Sequence, residues 1–401
     1  MPEILPAIES FLSTARQPVV IEPGEDPIII GADNFVLSGT PTRPSIACWS
    51  DSRNLTRRIS GVRAERRGKL ELTTEHFGGR TGRLLLIDLA NPANATATRR
   101  GDRLKFRERF RMALHRQYPD WRIVELSTDP DLQHTLSPAY PRALLRRGKS
   151  AMAAIGAPEE ADPDGALSFG LIWLDYLRQR EAKLSVGGLL VFVPMGGEVN
   201  TCHRVRHLQT QVAVFVHNQD GEEAVHPEDY TNFTTRVDPL QGGIPKARDA
   251  HTPEALLEAE IRAHIQVIDG TLLAAPVYGQ APHMAAVDRG IMDLLAVDFE
   301  GRLTILEIKA TEDLHLPLQA LDYWMRVKWH LERGDFVRAG YFPGITLRPG
   351  PPRLLLVAPA LHFHPSNESV LRHLASDVTV ERIGVGIEWR RELKVVLRQC
   401  R

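Results

Sequence analysis

Residues 290–323, which read GIMDLLAVDFEGRLTILEIKATEDLHLPLQALDY, decide the predicted fold. Two apolar runs rich in β-branched residues, 291–297 and Leu303–Ile308, flank the four residues 298–301, which end in glycine. Two such runs joined by a short loop that contains glycine predict a β-hairpin. The rest of the chain is interpreted outward from this hairpin.

Charged side chains interrupt the apolar runs of the hairpin at Asp293, Glu307 and Lys309. Burying a charge costs free energy unless the charge is paired or bound to a metal ion. Because side chains alternate along a strand, Glu307 and Lys309 share a face, and Asp293 can lie across from Glu307. Two carboxylates that converge with a backbone carbonyl form an oxygen-rich site suited to Mg²⁺ or Mn²⁺.

A helix is predicted next, over Leu316–Glu332, with Pro317 in the first turn, where proline is tolerated. Gln319 and Tyr323 are four residues apart, so they lie on one helical face. That face can present polar groups to the acids or to a phosphate backbone.

The motif D-x(13)-E-x-K followed by Q-x-x-x-Y resembles the restriction-endonuclease-like, or PD-(D/E)XK, nuclease superfamily, over about residues 250–360. The similarity is greatest to the branch that has a Q-x-x-x-Y helix. Met292 precedes Asp293, at the position where the PD-(D/E)XK motif has proline. The resemblance implies an α/β fold class: a C-terminal αβββαβ core with a mixed central sheet, preceded by a separate mixed α/β N-terminal domain.

Members of this superfamily also carry a glutamate on the helix before the first core strand. Residues 252–265, TPEALLEAEIRAHI, provide that helix, with Thr252 as a suitable N-cap and Pro253 at the first helical position. Glu254 and Glu258 lie one turn apart and either can be the matching acid. Glu258 is preferred because it is deeper in the helix.

The resemblance implies a Mg²⁺-dependent phosphodiesterase, with Mn²⁺ as a substitute and DNA as the more expected substrate than RNA. The implied metal ligands are Asp293, Glu307, the carbonyl of Ile308, and Glu258 or Glu254. Lys309 would orient a water or stabilise the transition state, and Gln319 and Tyr323 would position Lys309 or the nucleic-acid backbone.

The net charge of −1 hides an uneven distribution. Between residues 43 and 149 there are 23 Lys and Arg against 11 Asp and Glu, a difference of +12, so the rest of the chain sums to −13. Arginine suits phosphate because its planar fork donates paired hydrogen bonds. The candidate nucleic-acid-binding residues are Arg57, Arg58, Arg66, Arg67, Arg99 and Arg100. The alternative is a solvated helix surface, as in residues 106–118.

A chain of 401 residues favours two or more domains. The prediction is a mixed α/β domain over residues 1–235, a linker over 236–250 and the nuclease domain over 251–401. No internal repeat is evident. The sequence leaves open whether the first domain is an altered copy of the nuclease fold or an unrelated one.

The three cysteines, Cys48, Cys202 and Cys400, form no C-x-x-C pair, so they indicate neither a zinc site nor a disulfide framework. A reducing cytoplasm is the expected location. No apolar run approaches the roughly 18–20 residues that span a bilayer, so no membrane partner is expected. The expected partner is nucleic acid, and a homodimer is kept open.

Two alternatives belong to other functional classes. One is a nucleic-acid-binding protein that keeps the nuclease fold without cleaving. The other is an effector nuclease whose first half senses a ligand. The acids and the lysine of the motif are present, which favours an enzyme over the first alternative.

Overall fold

The computed structural model describes residues 4–22, 28–31, 34–50, 53–66, 68–75, 81–91, 95–131, 133–159, 161–218, 220–233, 237, 253–279 and 292–400. The chain divides into two units, Met1–Gln117 and Tyr118–Arg401. Residues 1–235, predicted as one domain, therefore fall on both sides of this division. Apart from Val237, the predicted linker 236–250 lies outside the described residues, and its role stays a prediction.

The first unit is an antiparallel sheet, and in the sequence one helix precedes its strands and another follows them. Its described strands lie in the order β2-β1-β7-β6-β5-β4-β3. Leu70 and Leu72 alternate with partly exposed residues, the period expected of a strand with one buried face. The elements are α1 (Ile4–Thr14), β1 (Pro18–Ile21), β2 (Ile28–Ile29), β3 (Phe35–Thr40), β4 (Arg43–Ser50), β5 (Arg53–Arg66), β6 (Lys69–Glu75), β7 (Thr81–Asp88) and α2 (Ala95–Gln117).

The second unit begins with a mixed sheet, which we call the middle sheet. Its strands follow one another in chain order, and β10 is parallel to β11, as β11 is to β12. The side chain of Asp162 caps α3 by accepting from the amide of Asp164 at 3.0 Å. The elements are β8 (Arg122–Ser127), β9 (Arg142–Arg147), β10 (Ser150–Gly156), α3 (Pro163–Arg180), β11 (Ser185–Pro194), α4 (Glu198–Val205), β12 (Val212–His217) and β13 (Glu222–Val225).

A second mixed sheet, the C-terminal sheet, completes the unit. Its strands also lie in chain order, with β16 parallel to β17 and β17 parallel to β18. The elements are α5 (Pro253–Ala263), α6 (Ile265–Ile268), β14 (Tyr278–Gly279), β15 (Leu294–Val297), β16 (Leu303–Ile308), α7 (Leu316–Glu332), α8 (Asp335–Arg338), β17 (Arg353–Pro359), α9 (Asn367–Leu371), β18 (Val380–Val385) and β19 (Val395–Cys400).

The middle and C-terminal sheets share one hydrophobic core, which contains the fully buried rings of Trp173 on α3 and Trp324 on α7. Helices α3 and α4, which connect strands of the middle sheet, pack against α9 and α7, respectively, which connect strands of the C-terminal sheet. Phe233, three residues before the predicted linker, also contacts Trp329 of α7. The two sheets are therefore joined by extensive burial of apolar surface rather than by a tether alone.

The predicted α/β class is confirmed, with mixed and antiparallel sheets. The bounds of β16 and α7 coincide with the predicted ones. Strand β15 begins at Leu294, and residues 290 and 291 of the quoted stretch lie outside the described residues, as does Thr252. Among the described helices, none is long and apolar enough to span a membrane.

Candidate active site

The β15–β16 hairpin forms as predicted. Its register runs from Val297 opposite Leu303 to Leu294 opposite Leu306, which brings Asp293 to the end of β16 beside Glu307. The loop closes where Gly301 donates its amide hydrogen to the carbonyl of Asp298 at 3.0 Å. Gly301 has φ +81°, and a Cβ there would lie 2.1 Å from the carbonyl oxygen of Thr346, so only glycine fits this turn.

Asp293 and Glu307 form a buried pair of like charges. Oδ2 of Asp293 accepts a hydrogen bond of 2.8 Å from the amide of Ile308. The side chain of Glu307 is 3% exposed, and its Oε2 has no hydrogen-bond partner among the described residues. Burial, and then the charge of Asp293, raise the pKa of Glu307 well above its ordinary value. Because the charge of Lys309 does not offset these two causes, a further cation is needed to keep both carboxylates ionised.

Lys309 lies between two carboxylates. Its Nζ is 3.7 Å from Oε1 of Glu307 and 3.7 Å from Oδ2 of Asp313. Burial favours the neutral amine, but these carboxylates outweigh it and raise the pKa of Lys309. The side chain therefore stays a cation, and 20% of it is exposed to water. Sequence reasoning missed Asp313, and the signal was an acid four residues after the lysine.

Helix α7 brings the predicted tyrosine to the acids. Tyr323 is buried, and burial followed by the charges of Glu307 and Asp293 raises the pKa of its phenol. Gln319 lies one turn earlier and is half-buried. The hydroxyl of Tyr323 thus stays protonated near the carboxylate pair and can act as a hydrogen-bond donor.

Helix α5 packs against β16 and places both candidate glutamates near the site. Glu258 is buried, and its Oε1 lies 3.1 Å from where a Cβ on Gly279 would be. Gly279 pairs with Leu294, next to Asp293, so the missing side chain leaves room for this carboxylate. Glu254 is half-buried, and its charge acts on Lys309. The choice between the two glutamates stays open.

The donor set fits a magnesium-type ion held by few protein ligands. In the part of the chain that the structure describes, no three or more His, Cys, Asp or Glu side chains are arranged to hold a metal. Mg²⁺, however, keeps several waters and is usually bound through one or two carboxylates. The buried Oε2 of Glu307, which has no hydrogen-bond partner in the part of the chain that the structure describes, lies beside Asp293 and is the kind of ligand that such an ion requires.

Of the predicted basic residues whose side chains the structure describes, Arg57 and Arg58 lie on opposite faces of β5. Arg57 donates to both carboxylate oxygens of Glu22, at 2.8 and 3.0 Å, whereas Arg58 is its neighbour on β5 and projects from the opposite face. Arg66 is exposed. Arg67 lies outside the described residues, as do the side chains of Arg99 and Arg100 on α2. Nucleic-acid binding by these residues stays a prediction.

The chain matches no protein-family model and no curated protein. It is similar to the structure of the EndoMS–dsDNA2 complex at 12% identity and a TM-score of 0.21, covering 89% of this chain and 80% of that one. It is also similar to a repair endonuclease from Pyrococcus abyssi at 12% identity and a TM-score of 0.22, covering 91% and 89%. TM-scores this low carry no argument about fold or activity.

Proposed function

We propose that the protein is a metal-dependent nuclease of the PD-(D/E)XK type that hydrolyses phosphodiester bonds, with DNA as its substrate. One observation carries this proposal: Glu307 is buried beside Asp293, with the ammonium group of Lys309 3.7 Å from it. A structural ion pair would need one acid for one lysine. Two acids and a lysine that converge on a partly open site favour binding of a metal and a phosphate.

The order of elements around the site supports the same proposal. Among the described residues, the elements α5, β14, β15, β16, α7 and β17 follow one another in chain order, apart from the short helices α6 and α8. This is the αβββαβ order that the family resemblance implies. The acids lie at the ends of the two central strands of this order.

Asp293, Glu307 and the carbonyl of Ile308 would hold the ion, with Glu258 or Glu254 completing its surroundings. When bound, the ion supplies a water of lowered pKa and neutralises charge on the scissile phosphate. Lys309 would donate a hydrogen bond to that water or to the phosphate oxygen on which charge develops. Tyr323 would hold the carboxylate pair or the substrate backbone from α7, and Gln319 would extend that contact.

The basic first unit is proposed to add affinity for the phosphate backbone. Arg58 and Arg66 are the exposed members of the predicted set whose side chains are described. Such contacts position a nucleic acid without reading its sequence. A cytoplasmic location and a homodimer stay predictions.

The test is cleavage of supercoiled plasmid, single-stranded DNA and RNA with Mg²⁺, Mn²⁺ or EDTA. We expect cleavage of DNA that requires a divalent ion and is lost in Glu307→Gln. The matched control is Glu388→Gln, which changes an exposed carboxylate of the same unit. Cleavage in EDTA, or by Glu307→Gln at the parental rate, would overturn the proposal.

The same experiment separates the alternatives. Binding without cleavage in every metal would support a non-cleaving nucleic-acid-binding protein. Cleavage that appears only after a small molecule or a partner is added would support a ligand-regulated effector.

A further inference from the structure

The middle and C-terminal sheets have the same topology. In each, six strands lie in chain order with antiparallel, antiparallel, parallel, parallel and antiparallel pairing. The third strand is followed by a long helix, α3 in one sheet and α7 in the other. A short helix precedes the fifth strand, α4 in one and α9 in the other. Two sheets that share strand order, strand direction and helix positions are two copies of one fold.

Hydrogen bonds between the third and fourth strands fix the alignment of the copies. The amide of Ala157 donates to the carbonyl of Phe192 at 2.8 Å, and the amide of Lys309 donates to Val357 at 3.0 Å. Ala157 therefore stands at the position of Lys309. By the same count Ile155 replaces Glu307.

The other two site positions are also changed. Ile155 is opposite Arg142 in the β9–β10 pairing, so a buried arginine stands where the C-terminal sheet has Asp293. Gly170, seven residues after the start of α3, corresponds to Tyr323 of α7, and a Cβ on it would lie 2.9 Å from Ile155. The middle sheet therefore lacks the acids, the lysine and the phenol at the corresponding positions.

The two copies contact each other reciprocally. Helix α3 packs on α9, and its counterpart α7 packs on α4, the counterpart of α9. Leu208 and Leu374 form an antiparallel bridge, each at the end of the same tripeptide, Arg-His-Leu, after the short helix. Corresponding parts of two copies that meet each other are the mark of a symmetric dimer interface.

Arg204, on α4 of the middle copy, reaches the helix that carries Tyr323. Its side chain is buried and donates to both carboxylate oxygens of Asp322 on α7, at 2.7 and 2.6 Å. It is also 2.9 Å from Asp164 of its own copy. A bidentate pair restricts geometry in a way that a single contact does not. Asp322 directly precedes Tyr323, so this pair fixes α7 beside the acids.

We propose that the middle sheet is a non-catalytic copy of the nuclease fold that acts as the internal partner of the catalytic copy, with Arg204 as a positioning residue for α7. Only the expected effect on the kinetics of DNA cleavage rests on the proposed function. Its structural consequence, the restraint of α7, is independent of cleavage.

The test compares Arg204→Lys, which keeps the charge but loses the fork, with the double variant Arg204→Met/Asp322→Asn, which leaves no buried charge at this contact. The control is Arg372→Met, which breaks another arginine–carboxylate pair between the two copies, from Arg372 just after α9 to Asp175 of α3 at 3.3 Å. Two quantities are measured on the full chain: the kcat and KM of DNA cleavage, and amide hydrogen exchange of residues 316–332 without metal.

We expect both Arg204 variants to lower kcat by roughly 10- to 100-fold with KM nearly unchanged, because small misplacements of a site are costly. Exchange over residues 316–332 should rise in both, and Arg372→Met should match the parent in kcat and in exchange there. Unchanged exchange in the Arg204 variants, or an equal loss in Arg372→Met, would overturn the inference. If the parent does not cleave DNA, the proposed function fails, and the exchange comparison still decides the role of Arg204.

Discussion

The backbone amide of Ile308 donates a hydrogen bond of 2.8 Å to Oδ2 of Asp293, and this bond holds the carboxylate at the end of β16. Asparagine at position 293 can keep the acceptor oxygen but loses the charge. We expect Asp293→Asn to reduce cleavage at least about 100-fold, since a ligand of the ion is weakened. Without metal, its free energy of unfolding should rise by roughly 0.5–1 kcal/mol, because the neutral amide removes the charge that opposes ionisation of Glu307.

These two effects are measured by plasmid cleavage in Mg²⁺ and by urea unfolding in EDTA. Glu388→Gln serves as control in both assays, because its carboxylate is exposed. An Asp293→Asn protein that is both inactive and less stable would show that the aspartate is structural.

Divalent ions should stabilise the parent protein. A ligand that binds only the folded state adds about 2.7 kcal/mol when its concentration is 100 times Kd. We expect Mg²⁺ or Mn²⁺ to raise the Tm of the parent and EDTA to reverse the effect. Glu307→Gln should abolish most of the increase. An equal increase in the parent and in Glu307→Gln would place the ion elsewhere.

Asp313 should matter through Lys309. The two side chains are 3.7 Å apart, and Oδ1 of Asp313 also accepts from the amide of His315 at 2.8 Å. Asp313→Asn can keep the hydrogen bond from the amide of His315, but it weakens the attraction to Lys309. We therefore expect kcat to fall roughly tenfold, which is less than for Lys309→Ala. Glu312→Gln, an exposed neighbour, should retain the parental rate. Equal rates for both variants would remove Asp313 from the site.

The contact between the two sheets should weaken in acid. Burial, and then the charge of Lys328, lower the pKa of His207 to about 4, while Asp377 opposes the shift. The ring of His207 lies 5.2 Å from that of Trp324. The unfolded chain binds this proton near pH 6.5, whereas the folded chain binds it only near pH 4. The part of the unfolding free energy that depends on neutral His207 is therefore fully present above pH 6.5 and is lost as the pH falls towards 4.

The loss attributable to His207 is at most roughly 3 kcal/mol. We expect His207→Gln to show a shallower fall in unfolding free energy between pH 6.5 and 4 than the parent. His226→Gln, which changes an exposed histidine, should follow the parent. The measurement is urea unfolding across this pH range, and parallel curves for the parent and His207→Gln would contradict the prediction.

Among the described residues of the two copies, only the C-terminal copy carries the site acids, and this has a consequence for how the protein cleaves duplex DNA. Ile155 and Arg142 stand where the second set would be. We expect supercoiled plasmid to become open-circular first, with linear product only after a lag. The time course is followed on agarose gels under single-turnover conditions. Linear product that forms without an open-circular intermediate would require a second centre.

Sequence patterns were informative where local chemistry decides the structure. Helix α7 has proline in its first turn and a long amphipathic run, and β16 is a mainly apolar run after a glycine turn, so the predicted bounds of both elements are confirmed. Strand β9 was missed because its three arginines and the preceding prolines indicate a loop. Strand β5 was missed because arginine dominates it, although its Leu55 and Ile59 are buried.

The relation between the two sheets could not be predicted because its contacts are distant in the sequence. Arg204 and Asp322 are 118 residues apart, and neither belongs to a motif. The duplication was not evident because the site residues that make one copy recognisable are replaced in the other. What remains alike is strand order, which becomes visible only when pairing is known.

The bridge between Leu208 and Leu374 joins two copies that are parts of one polypeptide. In a homodimer every substitution appears twice, so neither half can lose its acids without the other. Here each half can diverge alone, as Ile155 and Glu307 illustrate. The pairing is also insensitive to dilution, because a tether keeps the local concentration of one half around the other high. Turnover per mole should then be the same at nanomolar and micromolar protein.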